Sequence, residues 1–289
     1  MTKGTDNLTA ARKELEQGAC GGVFIDDTGS PGLADTPRHL HPARKSWIAA
    51  IVPKHQMKEV MTEFPKALAE LTAQCGATEF HFVDIYQGTK QFKGVELDLR
   101  MALFAFMSHI FATYGIPVLV QTLDPDKKAV AYFRERFPQR VGPLDLHKHE
   151  DLALLLLLIR AKWLIRDELG SQTVRLFVDE GRFKAGSVQS IPRLDPPFIK
   201  GEILSASSEE LHPIQLADFA AFALNRMQLL LGRQDLNHRD KQLLATLKPM
   251  AENFRNIEVR PVHAGVWPPM TEDKLIALVN RFEDTGEDE

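Results

Sequence analysis

The stretch Gly22-Val23-Phe24-Ile25-Asp26-Asp27-Thr28-Gly29-Ser30-Pro31-Gly32 is an apolar run that closes on an acid and is then broken by glycines and a proline, the pattern of a buried strand entering a loop. Three more acids stand in comparable surroundings. Glu79 precedes Phe80-His81-Phe82, Asp179 follows the run Val174 to Val178, and Asp218 lies inside Ile214-Gln215-Leu216-Ala217-Asp218-Phe219-Ala220-Ala221. A carboxylate at the end of an apolar strand, or inside an apolar helix, is costly to desolvate unless it is paired or bound to metal. One such acid is a weak signal. Four placed alike point to a shared centre for divalent cations.

The rest of the chain predicts an alternation of strands and helices. Strands are expected at residues 22 to 26, Ser46 to Val52, Ile116 to Leu123, Val174 to Val178 and Glu202 to Ser205, with a short extended piece at Glu79 to Val83. Helices are expected at His55 to Ala73, kinked or split by Pro65, at Glu96 to Tyr114, at His149 to Leu169 with Gly170 as its stop, and at Pro213 to Leu231. Asp124 to Pro143 reads as a polar connection holding one short helix, and residues 181 to 200 as a loop punctuated by Gly and Pro. This order predicts an α/β fold, a mixed β-sheet with helices on both faces. Residues 1 to 20 are expected to be a flexible N-terminal segment and 21 to 270 one domain. Residues 271 to 289 read as a C-terminal helix with a disordered acidic end.

Within such a sheet Asp26 and Asp179 both end strands, so neighbouring strands would bring their side chains together. Asp218 has Ile214, Ala217, Ala221 and Phe222 at one-turn spacing, which sets it on or beside the face that packs on the sheet. A divalent cation would neutralise it together with its partners.

Composition restricts the alternatives. The 289 residues, 44% of them hydrophobic, suffice for one large core. A net charge of -4 gives no global basic field, so a polyanion must be held locally. Local cations lie at Arg38 to Lys45, at Arg134 to Arg140, and at Arg182, Lys184, Arg193 and Lys200, although such clusters are more often solvated faces. Cys20 and Cys75 are the two cysteines and form no CxxC pair, which fits a reducing cytoplasm and no structural zinc. Met1 to Gln17 lacks the apolar core of a signal peptide. The run Leu152 to Ile159 is too short to span a bilayer, so no membrane partner is expected.

The four segments together resemble the DUF3800 family. Phe24-Ile25-Asp26-Asp27-Thr28-Gly29 is similar to that family's opening Tyr-Ile-Asp-Glu-Ser-Gly, Glu79-Phe80-His81 to its Glu-x-His segment, Val178-Asp179-Glu180 to its third acidic strand end, and Gln215-Leu216-Ala217-Asp218 to its closing helix. The likeness spans residues 22 to about 228. Ser30 departs from it, standing where the family commonly has a further acid. The resemblance implies an RNase H-like fold and a metal-dependent nuclease site that acts on DNA or RNA, without naming a substrate.

On that reading Asp26, Glu79, Asp179 and Asp218 hold two Mg²⁺ or Mn²⁺ ions, with Asp26 bridging, since these ions take hard oxygen ligands. His81, two residues from Glu79, would share its side of an extended strand and shuttle a proton or contact phosphate. Asp84 is a candidate supporting partner, and His212 and Lys200 are further phosphate contacts to weigh. Two other motifs compete. Asp27-Thr28-Gly29-Ser30 also spells an aspartic-protease loop, but its only repeat, Asp284 to Gly286, follows no apolar strand. It also resembles a phosphate loop of actin-like phosphotransferases, which leaves Glu79 and Asp218 unexplained. A non-catalytic nucleic-acid-binding or scaffold protein of the same fold is the alternative from another class. The apolar helices permit a homodimer without specifying one.

Overall fold

The computed structural model describes residues 3–28, 45–123, 138–231 and 233–255. In chain order the first elements are α1 (Lys3–Glu16), β1 (Gly21–Asp27), β2 (Lys45–Val52), α2 (Lys54–Cys75), α3 (Phe82–Gln87), α4 (Leu97–Tyr114) and β3 (Val118–Leu123). They are followed by β4 (Arg140–Val141), β5 (Leu144–Asp145), α5 (His149–Asp167), β6 (Val174–Asp179), β7 (Val188–Ser190), β8 (Phe198–Ala206), α6 (Ile214–Leu231), α7 (His238–Leu247) and β9 (Phe254–Arg255).

Among the described residues seven strands form one mixed sheet in the order β7-β8-β6-β1-β2-β3-β9. β2 is antiparallel to β1 and β3, whereas β6 is parallel to β1 and β8 parallel to β6. The two central parallel strands are nearly continuous apolar runs because both of their faces are covered. On one face Val23, Ile25, Ala49, Leu176 and Val178 pack on α5. That helix is apolar almost all round, Leu152 to Leu155 and Leu157 to Ile159 being nearly shut from solvent. On the other face Phe24, Ile48, Ala50 and Phe177 join the apolar sides of α2, α4 and α6. The expected α/β class, with helices on both faces, is the observed one.

Several local expectations are corrected. Residues 1 to 20 were expected to be flexible, yet Lys3–Glu16 forms a helix whose Leu8, Ala11 and Leu15 are buried. A stripe at i, i+3 and i+7 suffices to dock an otherwise polar segment. α2 runs unbroken through Pro65, with Phe64 and Leu68 buried on either side of it. The piece Glu79 to Val83 is not extended: Phe82 already opens α3, because Phe82, Ile85 and Tyr86 bury at helical spacing. The hairpin of β4 and β5, helix α7 and the edge strand β9 went unread, being too short or too polar for periodicity to declare. The expected helix within 124 to 137 and the C-terminal helix and tail from 271 lie outside the described residues.

Candidate metal centre

Side-chain alternation along β1 and β6 decides which acids meet. Phe24 and Phe177 are register partners and face the same core, stacked with ring centroids 5.5 Å apart and planes at 11°. Two residues further on, side chains return to that face, so Asp26 and Asp179 stand side by side at the carboxyl ends of adjacent strands, past the stacked rings. Asp27 and Val178 fall on the opposite face. α6 crosses the same face, with Ala217, Ala221 and Phe222 buried, and brings Asp218 over the strand ends. Each of the three aspartates keeps part of its surface open to solvent.

Glu79 arrives from the loop before α3, and that loop is fastened from α6. The Gln215 carbonyl oxygen accepts the Phe80 backbone N–H at 2.6 Å, and its amide donates to the Ser208 carbonyl at 3.2 Å. The Ser208 hydroxyl then donates to Glu79 Oε2, and the His212 ring lies 3.2 Å from the same Ser208 carbonyl. Ser208 and Gln215 were not read from the sequence as site residues. The available signal was a fully polar Gln215 one turn before Asp218 in an otherwise apolar helix.

The electrostatics follow from crowding. Burial, then Asp179 and Glu79, push the Asp218 carboxyl up to about 7. Burial also pushes Asp179 up to about 6, against the Glu180 N–H that bonds its charged form and with Glu180, Glu79 and Asp27 adding repulsion. Asp26 is held well above the usual carboxylate range by burial, then by Asp218 and Asp179, with only the Asp27 N–H opposing. Like charges gathered in a partly desolvated spot are the environment a divalent cation relieves, and the donors are hard oxygens of the kind Mg²⁺ and Mn²⁺ take. As placed, no three Asp, Glu, His or Cys side chains among the described residues stand in a metal-holding arrangement. Asp26 Oδ1 is turned back to the Asp27 N–H at 2.7 Å and Glu79 is held by Ser208.

His81 does not share a strand face with Glu79; it precedes α3, and its Nδ1 lies 2.6 Å from Asp84 Oδ2. Asp84 is itself buried and also holds Lys90 and the Thr89 hydroxyl, each at 2.8 Å. Burial acts to raise its carboxyl, but Lys90, Thr89 and His81 outweigh it and leave it lowered. Lys200 lies near the start of β8, whose Ala206 is the partner of Asp179, so it sits at the opposite end of the sheet from the acids. Arg182 is taken up by the fully buried Asp151 in a two-pronged ion pair, which corrects its reading as part of a solvated face. Arg38 to Arg44, Arg134 and Arg136 lie outside the described residues.

No helix among the described residues is long and apolar enough to cross a membrane. No family model, no curated protein and no solved structure matches the chain.

Proposed function

We propose that the protein is a divalent-metal-dependent nuclease of RNase H-like fold, related to the DUF3800 proteins that its four motifs resemble. The observation that carries the reading is the meeting of Asp26, Asp179, Asp218 and Glu79, from two strands, a helix and a loop, at one end of the sheet. The strand order supports the fold assignment: an antiparallel β1-β2-β3 unit extended from β1 by the parallel strands β6 and β8.

Two Mg²⁺ or Mn²⁺ ions held by these four carboxylates would supply water activation and leaving-oxygen stabilisation for phosphodiester hydrolysis. The chain's own residues do the rest. Gln215 and Ser208 orient Glu79, and the N–H groups of Asp27 and Glu180 orient Asp26 and Asp179. His81, steered by Asp84 as a carboxylate steers a working histidine, is the residue for proton transfer or phosphate contact at the rim. DNA or RNA is the substrate class, and a cytoplasmic setting accords with the unpaired cysteines Cys20 and Cys75.

The test is cleavage of single- and double-stranded DNA and RNA with Mg²⁺, Mn²⁺ or EDTA, beside Asp26→Asn and Asp218→Asn. Metal-dependent cutting that both variants lose is the expected result. No cutting of any strand, with no thermal response to metal, would transfer the assignment to a non-catalytic scaffold.

A further inference from the structure

A second cluster, of opposite charge, surrounds Tyr86 at the far end of α3. The Arg239 guanidinium carbon lies 3.8 Å from the Tyr86 ring centre and that of Arg226 lies 4.3 Å from it. Arg226 also lies 5.6 Å from the Phe222 ring. Arg233 reaches toward the same spot, its Nη1 3.4 Å from Asp240 Oδ2. Asp240 is the carboxylate in contact with this group, and it divides itself between Arg233 and the Tyr86 hydroxyl, which donates to it at 2.9 Å. Arg239 Nε and Nη2 are shut from solvent with no hydrogen-bond partner among the described residues.

A fourth guanidinium has a different part. Arg100 donates to the carbonyls of Val95, Ile85 and Tyr86 and so fixes the end of α3 that carries the ring, with Glu96 beside it. Among the described residues, Arg226 and Arg239 therefore lie on the Tyr86 ring, and Arg233 on Asp240, the carboxylate that the tyrosine hydroxyl also bonds. Repulsion among them is visible on Arg226, whose proton affinity is lowered by burial and by Arg239 and Arg233, against Tyr86 and Asp240. Guanidinium forks held by stacking on an aromatic ring are suited to planar, two-pronged recognition of a phosphate group. The cluster is also in line with the acids. α3 begins three residues after Glu79 and carries Tyr86 in its last turn, and on α6 Arg226 follows Asp218 by two turns, about 12 Å along the axis.

We propose that Arg226, Arg233 and Arg239 around Tyr86 form a phosphate-binding site that grips the backbone of a nucleic-acid strand beside the bond presented to the acidic centre. The phosphate chemistry stands on the arginine cluster itself, whereas the strand as its source rests on the nuclease reading.

The experiment measures two probes without cleavage, in EDTA. One is a short fluorescein-labelled DNA or RNA strand followed by anisotropy at several salt concentrations. The other is inorganic pyrophosphate followed by the shift in melting temperature. Arg226→Gln and Arg239→Gln are each expected to weaken strand binding about tenfold, the loss of one charge-assisted contact. The double variant is expected to flatten the salt dependence by more than one unit of slope, at about 0.7 per phosphate contact. Arg233→Gln, at a side chain that is 43% exposed and whose partner Asp240 keeps the Tyr86 hydroxyl, serves as the mildest of the three variants and should weaken binding in the same direction. Stabilisation by pyrophosphate that the arginine variants abolish, with no strand bound by any form, would keep the anion site and remove the nuclease reading. Folded variants that bind both probes as the parent does, or a parent that responds to neither probe, would overturn the site whatever the cleavage assay returns.

Discussion

Gln215 accepts the backbone N–H of Phe80 at 2.6 Å in the buried interior, joining positions far apart in the chain. Because the same side chain donates to the Ser208 carbonyl, and Ser208 donates to Glu79, one glutamine sets the height at which Glu79 meets the aspartates. Gln215→Leu leaves the buried Phe80 N–H without its partner and takes one donor from the Ser208 carbonyl, and a cost of about 2 kcal/mol is expected. Urea unfolding measures it. Unchanged stability would mean that the Glu79 loop is held by packing alone.

The raised carboxyls make stability depend on pH in a definite direction. An aspartate in the unfolded chain titrates near 3.9, whereas Asp218 is pushed to about 7 and Asp179 to about 6. Their neutral forms are favoured by the fold, so the full stability is present below about pH 4 and is lost as pH rises toward 7, by on the order of a few kcal/mol. Asp218→Asn should remove most of that loss and melt higher than the parent at pH 8 while matching it near pH 4.5. Parallel melting curves for the two proteins across this range would contradict the crowding of charges.

Metal binding competes with those same protons. Mn²⁺ is therefore expected to raise the melting temperature more at pH 8 than at pH 5.5, by mass action on deprotonated carboxylates. Differential scanning fluorimetry with a Mn²⁺ titration at both pH values checks it. The Asp26→Asn and Asp218→Asn variants should show a reduced response at pH 8, and an equal response from all three proteins would locate the metal elsewhere.

Asp151 and Arg182 carry structural weight of a different kind. The Asp151 side chain is fully buried; it takes both prongs of Arg182 and also accepts the Asp145 N–H at 2.8 Å. Asp151→Ala strands a half-buried guanidinium and a backbone N–H, with an expected cost of about 3 kcal/mol. Chemical denaturation of the single variant, beside Asp151→Leu paired with Arg182→Met, separates loss of the pair from loss of its charges: the apolar pair should recover most of the stability.

The apolar runs that end in Asp26 and Asp179 were legible because period-2 burial and an acid at the strand end are both local signals. Asp218 was legible because a carboxylate interrupts an apolar helix. Glu79 lies near Asp179 and Asp218 but on a different backbone from the expected one, since Phe80 and Phe82 alternate as a strand would while their burial comes from helix α3 and its neighbours. The wrong backbone also misplaced His81, whose partner Asp84 lies one helical turn on. Ser208 and Gln215 act through contacts between segments that no spacing in the chain announces. The pairing of Asp151 with Arg182 was hidden for the same reason. The arginines around Tyr86 come from three separate segments, and charge counting along the chain gives no hint that they share a ring.

The parallel pairing of β1 with β6 sets Gly21 beside Val174, and the last acid of the cluster lies beyond that, on α6. Chains with such distant pairings close large loops before any contact rewards them, and fold slowly for their size. During synthesis the segment bearing Asp26 leaves the ribosome long before its neighbours exist, so the nascent chain carries an incomplete acidic centre until α6 has emerged. The order of residues in this chain thereby delays assembly of the site until the helix that carries Asp218 has been made.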